Sequence, residues 1–137
     1  MKLFLTFLSC LCLTSAQSAI LTISNNPTLP GQYTDGNVAI SAASPGDTLQ
    51  FTGSTTSYSS INVAKQLTLV GSGWAGPLLP AKFSYCTVSL AGGFSTFQGI
   101  SFIDYTNVNA ANCTFTECTF WSLNYNTDAD NTLYKNC

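Results

Sequence analysis

Histidine and arginine are absent from the 137 residues, and charge of either sign is scarce: four lysines against six acids leave a formal net charge of −2. A chain without arginine is poorly equipped to neutralise a phosphate backbone, so nucleic acid drops out as a partner. No basic cluster is present that would hold the chain on an anionic membrane surface. Proton-transfer catalysis needs acids and bases placed close together with tuned pKa values. Past residue 100 the only acids are Asp104, Glu117, Asp128 and Asp130, and the only bases between residue 66 and Cys137 are Lys82 and Lys135. No two of the acids fall at equivalent positions of the repeat described below. No catalytic residue is therefore assigned, and the expectation is a chain that is not itself an enzyme.

Long hydrophobic runs are also missing, with one short exception. Lys2, the apolar run Leu3–Leu13 and the small residues Thr14-Ser15-Ala16 have the layout of a secretory signal peptide, too short to span a bilayer. Cleavage is expected after Ala16, with Ala19 as a second option. This places residues 1–16 in a leader, residues 17–137 in one domain, and the mature chain outside the cell or at its surface. No membrane attachment is expected after cleavage, and oligomeric state is not readable.

What fills the remaining chain is Ser, Thr, Asn and Gly among scattered Ile, Val, Leu and Phe, a composition of strands and turns. Ile20–Ile23 reads as a first strand. One helix is expected over Asp35–Ala43, capped by Asp35 or Thr34, with Val38, Ala39, Ile40, Ala42 and Ala43 as its apolar side and Pro45-Gly46 as its stop. Strands are expected at Thr48–Thr52, Ser60–Ala64 and Gln66–Val70, where alternation puts Leu49 and Phe51, Ile61 and Val63, and Leu67 and Leu69 inward.

Two repeats run through the second half. Leu67-x-Leu69 recurs as Val88-x-Leu90 and Val108-x-Ala110. More clearly, Phe97-Gln-Gly-Ile100-Ser-Phe102 recurs as Phe115-Thr-Glu-Cys118-Thr-Phe120 and as Tyr134-Lys-Asn-Cys137, at offsets of 18 and 19. Periods near twenty are those of solenoids. On a straight strand residues three apart face opposite ways, so Phe115 and Cys118 both point inward only if a corner lies between them. Gly99, Glu117 and Asn136 occupy that corner; glycine and asparagine tolerate unusual backbone angles, and glutamate fits less naturally. The expected core is Leu67, Leu69, Phe97, Ile100, Phe102, Cys113, Phe115, Cys118 and Phe120.

The stretch "DGNVAISAASPGDTLQF" followed by "INVAKQLTLVGSG" resembles the N-terminal coils of secreted bacterial proteins with the right-handed parallel β-helix, or pectin-lyase-like, architecture. The resemblance implies an all-β fold of coils over residues 48–137, with the helix at 35–43 capping one end. It also implies that Gly46 and Asp47 turn the chain into the stack, which makes Asp47 structural. The resemblance marks a fold rather than an activity. Lyases of that architecture use a basic residue beside calcium-binding carboxylates, and its hydrolases use clustered aspartates, often with His or Arg nearby. The last unit stops at Cys137, short of the aromatic that completes its sisters, and this reads as a fragment or a truncated product.

Cys86, Cys113, Cys118 and Cys137 remain after the leader. An even count in an exported chain invites disulfides, and Cys118 and Cys137 would sit on neighbouring strands within bonding range. The alternation with isoleucine favours inward thiols used as small hydrophobes, and separations of 27, 5 and 19 do not suit zinc. No cofactor is assigned, although Asp128 and Asp130 in "NYNTDADN" could bind calcium as oxygen ligands, or be ordinary turn residues. Trp74 and Trp121 are candidate carbohydrate contacts, with polysaccharide or cell-surface components as partners. Asn112-Cys-Thr114 matches a glycosylation sequon, and burial of its strand argues against use. The functional expectation is a non-catalytic surface, adhesion or scaffold module. The alternatives are the N-terminal part of a polysaccharide lyase or hydrolase, and a carbohydrate-binding module.

Overall fold

The computed structural model describes residues 17–73 and 79–137. The expected leader at 1–16 and the candidate contact Trp74 lie outside the described residues. Among the described residues are eleven strands, one α-helix and a 3-10 turn at Leu90–Gly92. The strands are β1 (Ile20–Ile23), β2 (Thr48–Phe51), β3 (Ile61–Val63), β4 (Thr68–Val70), β5 (Ala81–Phe83), β6 (Cys86–Val88), β7 (Thr96–Gln98), β8 (Ile100–Val108), β9 (Thr114–Thr116), β10 (Thr119–Tyr125) and β11 (Leu133–Lys135). The helix α1 spans Gly36–Ala42. The protein is all-β, and every strand pairing is parallel.

Two sheets result. One runs β1-β2-β4-β7-β9-β11; the other runs β10-β8-β6-β3, with β5 paired to the first part of β8. Parallel neighbours cannot be joined by tight hairpins. From β2 onward the chain meets that constraint by leaving the first sheet, crossing through the second and returning one strand further along, whereas β1 reaches β2 through α1. Leu21, Leu49, Leu69, Phe97, Phe115 and Tyr134 consequently line up in register across the first sheet.

The core lies between the two apolar faces. Short strands alternate buried and half-exposed residues, as at Cys86–Val88 and Ala81–Phe83. The sheets touch through aromatic pairs: Phe51–Phe83 at 4.8 Å and Phe97–Phe102 at 6.2 Å between ring centroids, with Phe97–Phe115 stacked along the first sheet at 4.5 Å. Tyr58 belongs to the same cluster. Its hydroxyl donates to the carbonyls of Thr52 and Ile23, which removes the penalty of burying it.

The Phe97/Phe115/Tyr134 repeat is realised residue for residue. Its corner residues Gly99, Glu117 and Asn136 all have positive φ, at 63°, 53° and 52°. A second left-handed column precedes the same strands: Phe94, Asn112 and Asn131, at 61°, 58° and 56°. Each strand is thus clamped between two corners five residues apart.

Several expectations are corrected. Leu69 pairs with Phe97 rather than aligning with Leu90, and Val88, aligned with Leu67 in the repeat, has Val63 and Val108 as its partners. The connection from β4 to β7 carries two strands, β5 and β6, where the other connections from β2 onward carry one, so the step there is 28 residues rather than about twenty. Leu90, taken as inward, begins the 3-10 turn and is exposed. In α1 the buried positions are Gly36, Ala39 and Ile40, with Ala43 behind them, whereas Val38 and Ala42 face solvent. Finally, Phe120 is only partly buried; it stacks on Phe102 at 5.1 Å but lies on β10, the edge strand of its sheet.

Candidate functional site

The strand pair β8–β10 carries the most unusual surface of the described residues. Phe102 pairs with Phe120 and Tyr105 with Ser122, so Ile103 and Asp104 together face the single residue Trp121. This is a β-bulge, a device that re-aims side chains and is over-represented near functional sites. The strand alternation breaks at the same place: Ile103, Asp104 and Tyr105 are all exposed in succession. Trp121 is 82% exposed, against 53% for Tyr105 and 44% for Ile103. An indole, a phenol, a branched aliphatic and a carboxylate therefore share one ledge on the outside of the fold.

A polar row flanks the ledge. Asn62, Thr87, Asn107 and Asn124 are in register across β3, β6, β8 and β10. Asn124 Nδ2 donates to Asn107 Oδ1 at 3.3 Å, and Asn107 Nδ2 donates to the Tyr85 hydroxyl. The amides fix one another's orientation, so the row offers hydrogen-bonding groups in set directions without charge.

Trp121, a candidate carbohydrate contact in the sequence, is exposed. Its neighbours Ile103, Asp104 and Tyr105 were not assigned. A signal for them exists in the two apolar doublets, Phe102-Ile103 and Phe120-Trp121, each of which breaks the alternation at the same point of the repeat.

Asp128 and Asp130 lie in the turn between β10 and β11 and are both exposed. Asp130 lines a shallow pocket of about 690 Å³ with Leu123, Tyr125 and Tyr134, whereas Asp128 lines a different depression with Ser89, Leu90 and Asn109. Among the described residues no three His, Cys, Asp or Glu side chains converge on a point.

The remaining titratable groups are built into the architecture. Asp47 accepts from the backbone N–H groups of Ala19 and Ser44 at 2.8 and 2.7 Å, and these bonds hold its carboxyl below the usual range. Cys86, Cys113 and Cys118 are buried and Cys137 is exposed; all four are free thiols. Burial pushes the thiols of Cys86 and Cys113 up and that of Cys118 to about 11, which suppresses the nucleophilic thiolate. Burial likewise pushes Tyr134 up to about 12.

Among the described residues no helix is long and apolar enough to cross a membrane. No protein-family model, no curated protein and no solved structure matches the chain.

Proposed function

We propose that the chain is a stretch of right-handed parallel β-helix, exported by its N-terminal leader, that serves as a non-catalytic surface module and contacts carbohydrate through the Trp121 ledge. The β-helix reading is supported by the in-register column from Leu21 to Tyr134 and by a path that alternates between two parallel sheets. The hand is the one that parallel crossovers adopt almost without exception. The bulge carries the functional reading. A solvent-exposed indole beside Tyr105 and Ile103 offers a flat amphipathic platform of the kind that suits the apolar face of a sugar ring. Asp104 and the Asn107–Asn124 amides supply acceptors and donors for hydroxyl groups at its margin.

The direct measurement is binding to a panel of neutral and acidic polysaccharides, with Trp121→Ala as the comparison. Loss of binding by tenfold or more, with an unchanged unfolding midpoint, is the expected result, because the indole is too exposed to contribute much to the core. Equal binding by both proteins removes the ledge from the account. Release of new reducing or unsaturated ends from any polymer overturns the non-catalytic assignment and favours the N-terminal part of a lyase or hydrolase.

A further inference from the structure

The four thiols are distributed so that only one pair occupies consecutive positions of a single column. Cys86 pairs across its sheet with Ile61 and Thr106. Cys113 immediately precedes Thr114, whose partners are Thr96 and Leu133, so its column neighbours are Ser95 and Thr132. Cys118 and Cys137 each come three residues after the paired aromatics Phe115 and Tyr134. Each also follows a left-handed corner residue, Glu117 at φ 53° and Asn136 at φ 52°. The Glu117 N–H donates to the carbonyl of Lys135, the residue just before the Asn136 corner, at 2.9 Å.

The side chains match as well. Cys118 Sγ donates to the carbonyls of Phe97 and Thr116 at 3.6 and 3.4 Å, and Cys137 Sγ donates to those of Phe115 and Lys135 at 3.6 and 3.3 Å. Phe97 and Phe115 are register partners, as are Thr116 and Lys135. The second thiol is therefore the first moved along by one strand, about 4.8 Å. Bonded cysteines have Cα atoms about 4.4–6.8 Å apart. Thiol–carbonyl bonds are weak, so rotation about Cα–Cβ can release each sulfur toward the other while the backbone stays in place.

We propose that Cys118 and Cys137 form an oxidative modification site, closed to a disulfide between neighbouring strands by a low-molecular-weight disulfide such as oxidised glutathione. The exposed sulfur reacts first. Cys137, as thiolate, attacks one sulfur of the glutathione disulfide, forming a mixed disulfide and expelling one glutathione thiolate, which takes up a proton. Cys118 then gives its proton to solvent, and its sulfur attacks Cys137 Sγ and expels the second glutathione. Two protein thiols lose two electrons and two protons in total, and one glutathione disulfide becomes two glutathione thiols. The buried attacking thiol makes the second step the slow one. Cys86 and Cys113 have no thiol in the adjacent position of their columns and stay reduced.

The test is incubation of the native full chain with oxidised glutathione, alkylation of the remaining thiols, and digestion after glutamate and lysine. Glu117 separates Cys113 from Cys118, and Lys135 separates Cys118 from Cys137, so the Cys118–Cys137 linkage has a peptide mass distinct from any linkage to the peptide Phe83–Glu117, which carries both Cys86 and Cys113. The expected product joins the peptide Cys118–Lys135 to the peptide beginning at Asn136, disappears in Cys137→Ser, and raises the urea midpoint of the wild type but not of that variant. A glutathione adduct that persists on Cys137, an unreacted chain, or a linkage to Cys86 or Cys113 each overturns the proposal.

Discussion

Left-handed backbone is costly for any residue with a Cβ, roughly 1–2 kcal/mol. Here six residues in two columns adopt it, around the strands β7, β9 and β11. Gly99 and Asn136 are the residue types that bear this best, whereas Glu117 at the same corner is exposed and its side chain offers nothing in return. Glu117→Gly or Glu117→Asn should stabilise the fold by about 0.5–1 kcal/mol, read as a higher urea midpoint. A lower midpoint would mean that the carboxylate has a role the geometry does not reveal. The cysteines follow the same column logic. Cys113 occupies the position of Ser95 and Thr132, where each side chain donates to a backbone carbonyl: Ser95 to Lys65, Thr132 to Ala110, and Cys113 to Gly92 and Ala110. Cys118 occupies the position of Ile100. The two "CTF" units therefore use cysteine in two different ways, once as a small donor and once as a small hydrophobe. The repeat made the Gly99/Glu117/Asn136 corner legible in the sequence. The column through Phe94 was not legible, because nothing about an exposed phenylalanine announces a positive φ.

At the scale of the element, α1 shows how a seven-residue helix persists when helices so short are marginal alone. Asp35 accepts from the N–H groups of Asn37 and Val38 at 2.8 and 3.1 Å, closing the N-terminal end. Lys65, some 22 to 25 residues away, donates from Nζ to the carbonyls of Ile40, Ser41 and Ala43, at 2.9, 2.9 and 2.7 Å. A cation placed on the last carbonyls satisfies orphan acceptors and complements the helix dipole. Lys65→Met keeps the aliphatic stem and removes the donor; it should lower stability by roughly 1.5–3 kcal/mol and reduce the small helical part of the far-UV circular dichroism spectrum. An unchanged midpoint would show that water replaces the ammonium. The existence of the helix and its Asp35 cap were readable from local residue types. Its buried side was not, since the choice between Val38 and Gly36 is made by packing against β1 and β3. The Lys65 contact was equally hidden, because a partner more than twenty residues distant leaves no local trace.

For the whole molecule, legibility divides along the step length. Where consecutive strands of the first sheet lie 18 or 19 residues apart, the sequence shows the repeat; where the step is 28, the helix α1 in one case and an added strand with its turns in the other erase it. The same regularity leaves few ionisable groups in altered surroundings, so the pH dependence of folding reduces to a handful of them. Asp47 is held below its ordinary value by the Ala19 and Ser44 amides. Its contribution is complete above the unfolded carboxyl range, near pH 4, and is lost as pH falls through the lower folded value. Cys118 and Tyr134 act at the other end. Both are raised by burial, to about 11 and about 12, so the unfolded chain ionises first as pH rises past its ordinary thiol and phenol values. Their contribution is complete below those values and is lost as pH climbs toward the folded ones. Urea unfolding across the pH range should therefore trace a plateau through neutrality with a fall on each side. Asp47→Asn should lower the plateau and flatten the acid limb, since an amide accepts through one oxygen where the carboxylate uses two. Tyr134→Phe should soften the alkaline limb without lowering the plateau, because the phenol oxygen is buried with no hydrogen-bond partner. A stability that slopes steadily between about pH 5 and 8 would require a titrating group within the fold that none of these residues supplies, and would refute this assignment of the limbs.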